Sequence, residues 1–300
     1  MTIAAVEAGG TKFVLGLLRS EGNHPELLWR DSIPTTEPFE TLERAGALLA
    51  AASESHGKAE ALGIGCFGPV ELRSGHPAWG RVTSTPKALW QGADVAGVLG
   101  SRLGLKAAFD TDVNAAAAGE GRWGAGRGLT DFIYLTVGTG IGGGIISGGR
   151  LVHGTAHPEL GHSRIAREAG DDFAGACPFH GDCVEGLASG PAIARRWGKP
   201  ATELPPDHPA WELEAHYLAR AMAAWVCAFT PARILMGGGV GMRPGLAERV
   251  QELLETELAG YFGYLTEAGI REGFVRRPEL GDNAGLFGAA ALALGGIAAT

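Results

Sequence analysis

A glycine-tipped hairpin occurs twice along the chain, and that repetition constrains the fold more than any other feature. Ile3 to Val6 reads as a strand, Gly9-Gly10 as a turn, and Phe13 to Leu18 as the returning strand. The pattern restarts about 130 residues later. There Phe132 to Val137 is a strand, Gly138 to Gly144 a glycine turn, and Ile145-Ile146 a second strand. After the first hairpin, Leu42, Ala45, Leu49 and Ala52 repeat at helical spacing, and Ala61 to Ile64 returns to a strand. Val95, Leu99 and Leu103 mark another helix before the strand Lys106 to Phe109. Asp110-Thr111-Asp112-Val113-Asn114 then opens an alanine-rich helix, Ala115 to Gly121, with Asp as an ordinary entry cap. After the second hairpin come a helix over about Pro209 to Phe229, the strand Arg233 to Met236, Gly237-Gly238-Gly239, and a helix from Pro244 to about Leu258. Two related α/β halves in one chain of 300 residues follow.

Composition narrows the function classes. Of the 300 residues, 49 are Gly, against a usual share of about 7%, so many backbone positions are tight turns or close approaches. No three-residue glycine period exists, which excludes collagen. Lys and Arg total 25 against 33 Asp and Glu, a formal charge of −8. That balance argues against a nucleic-acid partner, because such affinity rests on clustered cations. No run reaches the roughly 18 apolar residues of a membrane span, and the start lacks the basic flank of a signal peptide. Four scattered cysteines do not make a secreted disulfide scaffold. The expectation is a cytoplasmic protein without a membrane partner.

Three glycine clusters each follow an apolar strand: Gly9-Gly10-Thr11-Lys12, Gly138-Thr139-Gly140 running on to Gly144, and Gly237-Gly238-Gly239. Backbone N–H groups freed by such turns form anion nests, and glycine lets phosphate oxygens approach closely. The plainer alternative is that they only make tight hairpins. Gly63 to Gly68 and Gly138 to Gly143 match the spacing of a dinucleotide fingerprint, but neither opens a helix, and no P-loop occurs. Any nucleotide is therefore held by hairpin loops.

Cys177, His180 and Cys183 stand at two-residue gaps, with His162 upstream. Two thiolates and two imidazoles suit a tetrahedral, structural Zn²⁺. A Cys177–Cys183 disulfide and a Cys–His nucleophilic pair are the alternatives; the second explains neither the extra Cys nor the extra His. Cys66 and Cys227 lie in apolar surroundings and read as inert core residues. His162 also ends Glu159-Leu160-Gly161-His162, so one ring nitrogen on zinc would leave the other to shape a polar pocket.

Taken together, Glu7 to Lys12, Thr111-Asp112-Val113-Asn114, the Gly138 turn, Glu159 to His162, Cys177 to Gly186, Gly237 to Gly239 and Gly281 to Gly285 resemble the ROK family of sugar kinases, across nearly the whole chain. Within it, the zinc cluster followed by Glu185 to Pro191, and the start at Ala8-Gly9-Gly10-Thr11-Lys12, look most like bacterial fructokinases. The resemblance implies an α/β, two-domain actin/hexokinase-like (ribonuclease H-like) fold with an interdomain cleft. Residues 1–112 plus 284–300 would form the smaller domain, and 113–283 a larger one carrying the zinc loop. ATP, with Mg²⁺, would set its phosphates on Gly9, Gly10, Thr11 and Lys12 and on Gly138, Thr139 and Gly140, and its adenosine near Gly237, Gly238 and Gly239. A hexose would meet Gly68, Pro69, Asn114, Glu159, His162 and Glu185. Asp112 would be the catalytic base, kept ionised by the helix dipole; its plainer role is a helix cap, for which Asp110 is equally available.

The activity so implied is phosphorylation of D-fructose to fructose 6-phosphate in a homodimer. Mannose, glucose or N-acetylmannosamine are the alternative acceptors. Departures bear on the choice. Glu7 stands where much of the family has Asp, Lys87 where related glucokinases commonly have Asn, and His157-Pro158 where they have small residues. Lys87 offers only donors, which argues against assuming glucose. A sugar-sensing regulator of the same family would need a DNA-binding helix pair ahead of Glu7, and a non-catalytic, zinc-stabilised sugar binder would have no use for Asp112.

Overall fold

The computed structural model describes residues 1–21, 24–266 and 272–296. The chain forms two compact units: Met1–Gly128 with Gly149–Pro158 and the chain from Glu279 onward, and Leu129–Gly148 with Glu159–Pro278. Among the described residues, no helix is long and apolar enough to cross a membrane.

The first unit is built on a sheet ordered β3-β2-β1-β4-β5. Its strands are β1 (Thr2–Ala8), β2 (Lys12–Glu21), β3 (His24–Pro34), β4 (Ala61–Cys66) and β5 (Ala107–Thr111). β1, β2 and β3 pair antiparallel, whereas β4 runs parallel to β1 and β5 parallel to β4. Alternate residues of β1 explain its continuous apolar run, since both faces are covered. Ala4, Val6 and Ala8 join the core beneath α1 (Pro38–His56) and α2 (Val95–Leu103), while Ile3 and Ala5 join the core with α3 (Asp112–Trp123) and α9 (Ala284–Ala293). The stripe Leu42, Ala45, Leu49 and Ala52 is buried on α1, whose N-terminus is capped by the Glu37 carboxylate. Part of the glycine excess serves close packing: a Cβ on Gly119 of α3 would stand 2.8 Å from the backbone nitrogen of Gly288 on α9.

Register places the chemistry. Ala8 pairs with Cys66 and Cys66 with Thr111, so β1, β4 and β5 end level. The Gly9 turn, the Gly68-Pro69 segment and Asp112 therefore leave the sheet at one edge, the carboxyl end of its parallel strands, where open α/β sheets bind ligands.

Sequence reading put α3 beyond a boundary at residue 112. Instead it packs against α9 within the first unit, because the two helices approach through glycines. Glu120 on α3 is fully buried and accepts backbone N–H bonds from Ala125 at 2.7 Å, Leu280 at 2.8 Å and Glu279 at 3.1 Å. It thereby ties both ends of the chain's excursion to the second unit onto α3. Glu120→Ala would strand three donors, and we expect a loss of about 3–5 kcal/mol in chemical denaturation; a loss under about 1 kcal/mol would show that water replaces the carboxylate freely. The final helix ends at Ala293 in place of 300, and residues 297–300 lie outside the described residues.

In the second unit the strand order is β10-β9-β6-β7, from β6 (Phe132–Val137), β7 (Ile141–Ser147), β9 (Ile234–Gly237) and β10 (Val275–Arg276); β8 is the two-residue strand Arg150–Leu151. The β6–β7 hairpin is antiparallel and β9 runs parallel to β6, repeating the β1–β2 hairpin and β4. The glycine turn is shorter than the sequence suggests. It spans residues 138–140, and Gly142 to Gly144 continue as β7, where a Cβ on Gly143 would press on Leu160. Around the sheet lie α4 (Val184–Ala188), α5 (Gly190–Trp197), α6 (Ala210–Phe229), α7 (Gly238–Gly241) and α8 (Leu246–Leu258). The Gly237 cluster is thus the start of a short helix, and Cys227, read as core, is exposed on α6.

Candidate active site

In the first unit, the Gly9 turn is held from both sides. Gly9 N–H donates to the Lys12 carbonyl at 3.0 Å, Thr35 N–H to Thr11 O at 2.9 Å, and the Thr35 hydroxyl to Gly9 O at 2.7 Å. A Cβ on Gly9 would sit 2.8 Å from Lys12 O, so the turn closes only on glycine. Thr11 and Lys12 are exposed at its tip.

Asp112 opens α3, with Thr111 as its cap. A Cβ on Gly65 of β4 would stand 3.3 Å from the Asp112 Cα, so glycine lets this corner lie on the sheet. Burial pushes the Asp112 carboxyl up to about 7, aided by the negative charge of Glu7 at the end of β1. The Val113 N–H bond at 2.9 Å pulls the other way and loses. Desolvation and the like charge of Glu7 thus oppose the ionised form that the helix dipole favours, and the carboxyl is only partly ionised near neutral pH, short of the full ionisation the sequence suggests. Glu7 is itself raised, first by burial.

Asn114, two residues on, is buried. Its Nδ2 donates to Asp110 Oδ1 at 2.7 Å, while Oδ1 has no partner among the described residues. A buried acceptor without a donor suits a hydroxyl. Asp110 is buried and also accepts from His153 Nε2 at 2.8 Å; that bond raises the His153 pKa. Asp110 is therefore committed to bracing the corner. Gly68-Pro69 is braced as well. Val70 N–H donates to Nε2 of the buried His157 at 3.2 Å, and Thr83 bonds Pro69 O through both its N–H and its hydroxyl. Burial lowers the His157 pKa, keeping the imidazole neutral and able to accept.

In the second unit, Gly138 N–H closes onto Gly140 O at 2.9 Å, and Gly190 N–H donates to Gly138 O at 2.7 Å. Gly238 has φ 83, and a Cβ on Gly138 would lie 3.6 Å from Gly239 N, so these two clusters adjoin. Thr139 is exposed between them. Glu185 Oε2 accepts the Ile141 N–H at 3.0 Å, so this carboxylate, read as a sugar ligand, also holds the glycine turn. Glu159 is exposed at the head of the 3₁₀ turn Leu160–His162, which rests on the start of β7 at Gly161.

His162, Cys177, His180 and Cys183 converge with all four ligand atoms within 4.8 Å of one another. Both thiols are free, so no disulfide joins them. Sulfur-to-Nδ1 distances are 3.8 Å (Cys177–His162), 3.7 Å (Cys177–His180) and 3.6 Å (Cys183–His162). An ion with bonds near 2.3 Å to sulfur and 2.0–2.1 Å to nitrogen in a tetrahedron spaces such atoms about 3.6 Å apart. The donor set and spacing fit a tetrahedral soft ion. His162 presents Nδ1 to this cluster, leaving Nε2 outside it.

Sequence reasoning did not find Glu120, the His153–Asp110 pair or the His157–Val70 bond. The density of His between residues 150 and 190 was the only local hint, and it pointed at metal.

Comparison with known proteins bears directly on these features. Residues 3–295 match the ROK family. The fructokinase of Zymomonas mobilis is 41% identical, over 96% of this chain and 95% of its own. Among solved structures, the ROK hexokinase of Thermus thermophilus superposes with a TM-score of 0.75 at 29% identity, covering 98% of each chain. A ROK family glucokinase from Streptomyces griseus, solved with glucose and AMPPNP, gives 0.72 at 28% identity over 99% of this chain and all of its own.

Proposed function

The chain belongs to the ROK family, with its two-domain actin/hexokinase-like fold, and is an ATP-dependent hexose phosphotransferase; within that activity we propose that it transfers the γ-phosphoryl group of ATP to the 6-hydroxyl of D-fructose. The observation that carries this reading is the level ending of β1, β4 and β5, which delivers the Gly9 turn, Gly68-Pro69 and Asp112 to one sheet edge. Fructose as acceptor is supported by the greater likeness to a fructokinase than to a glucokinase, and by His157 at a departure from the glucokinase pattern.

Phosphoryl transfer is mainly positioning and charge stabilisation. Asp112 accepts the O6 proton as O6 attacks phosphorus in line with the departing ADP oxygen. The turns at Gly9 to Lys12 and Gly138 to Gly140 offer the phosphates the backbone N–H groups that they do not use in closing, those of Gly9 and Gly138 being committed within the turns, and Gly237 to Gly239 lie against the adenosine. Asn114 Oδ1, Glu159, Glu185 and His162 Nε2 orient the hydroxyls. Mg²⁺ carried with ATP neutralises charge on the phosphate oxygens. Glu7, raised by burial and faced by Asp282, is the carboxylate that would hold its water shell. The Cys₂His₂ cluster holds Zn²⁺ as a structural ion, and the protein acts as a homodimer.

An ADP-release assay across fructose, mannose, glucose and N-acetylmannosamine should give the highest kcat/KM with fructose. A clear preference for another hexose would reassign the acceptor, and no turnover on any would sink the kinase reading. Because the base must be deprotonated and Asp112 sits near 7, kcat/KM for fructose should rise with pH to a plateau above about 8. A profile flat between pH 5.5 and 8 would contradict that assignment.

A further inference from the structure

We propose that Lys87 is a further catalytic residue, whose ammonium group binds the oxygens of the phosphoryl group as it passes from ATP to the sugar. The inference rests on the kinase reading above and goes beyond it, because sequence alone pointed to Lys87 only as a departure near the sugar.

The lysine is seated on a rigid frame. It precedes the 3₁₀ turn Ala88–Trp90, whose Trp90 is 2% exposed and packs its ring against Phe13 and Phe67. The Trp90 indole N–H donates to Thr36 O at 2.9 Å, and the neighbouring Thr35 makes the two bonds that close the Gly9 turn. One short segment therefore ties the seat of Lys87 to the first glycine turn. The side chain then crosses that turn: its Cε lies 3.4 Å from where a Cβ on Gly10 would stand.

Lys87 is half-buried. Among the described residues, no carboxylate pairs with its Nζ and no acceptor takes its side-chain protons; its backbone is engaged at both ends, the N–H by the Thr85 hydroxyl and the carbonyl by the Trp90 N–H. A partly desolvated ammonium without a counter-ion, lying across a glycine turn, is a site for an anion. A phosphoryl group on that turn supplies the missing charge. Sugar hydroxyls are neutral and would not.

In the step itself, the Pγ–O bond to ADP breaks and its electron pair leaves with ADP. The O6–Pγ bond forms, and the O6 proton passes to Asp112. Lys87 transfers no proton in this step; its ammonium N–H groups hydrogen-bond to the equatorial and leaving oxygens, where charge is greatest in the transition state.

Lys87→Met keeps the aliphatic stem and removes the charge. We expect kcat with fructose to fall by about 10²-fold or more, with KM for fructose and for ATP each within about threefold of the parent enzyme. Lys87→Arg should recover at least tenfold of that loss. A raised KM for fructose with kcat unchanged would overturn the proposal and make Lys87 a sugar ligand, and unchanged kinetics would overturn it outright. Circular dichroism and metal content of each variant serve as the fold control. If the parent enzyme itself releases no ADP with any hexose, the kinase reading fails and this inference with it; an active parent and an equally active Lys87→Met overturn this inference alone.

Discussion

Replacing Asp112 by Asn is expected to lower turnover of D-fructose by about 10²–10⁴-fold, the range that loss of a general base commonly costs, while leaving the fold intact. The amide occupies the same space and can keep the Val113 N–H bond. The same substitution has a second, opposite consequence. A carboxyl raised from 3.8 to about 7 favours the folded state while protonated, and that contribution is lost as pH rises through about 7. Asn cannot ionise. The inactive variant should therefore match the parent protein in thermal stability near pH 4 and exceed it by a few degrees at pH 8. Active Asp112→Asn protein would remove the base, and an unchanged stability difference between the two pH values would remove the burial argument.

Stripping the zinc proposed for the Cys₂His₂ cluster is expected to unfold much of the second unit. Structural zinc in small peptides contributes on the order of 10–16 kcal/mol at neutral pH, comparable to or larger than the whole stability of a typical domain. Cys183 is fully buried between the Arg164 bridge and α4, and Cys177 is nearly so. Cys177→Ser, Cys183→Ser and exposure to a strong chelator should each lower the melting temperature by about 10 °C or more. Elemental analysis should find one zinc per chain in the parent and none in the double variant. Activity should fall with the fold, because His162 ends the turn that presents Glu159 and its Nδ1 is fixed by the same cluster. A metal-free protein with unchanged melting would contradict a structural ion.

Local patterns carried much of this site. The glycine hairpins, the Cys-x₂-His-x₂-Cys run and the Asp-opened helix are short-range features, and each was legible in sequence because its physics acts between residues a few positions apart. What escaped reading acts across the fold. β3 was not anticipated because its strand is largely polar and half-exposed, with only Ile33 buried in its inner half. α3 belongs with α9 because Gly119 meets Gly288, a contact no local window contains. Glu120 lies in the alanine-rich helix with no local signal of its role, yet it is fully buried and receives N–H groups from residues 279 and 280. The raised pKa of Asp112 escapes a local reading for the same reason: the helix dipole is local, whereas burial and Glu7 arrive through the sheet. His157 accepting from Val70 joins residues 87 apart in sequence.

The most direct test is to identify the product. Uniformly ¹³C-labelled D-fructose incubated with the protein, ATP and Mg²⁺ should develop carbon–phosphorus coupling at C6, with ADP formed in equal amount. Coupling at C1, or an unaltered sugar spectrum after prolonged incubation with metal-replete protein, would contradict the account.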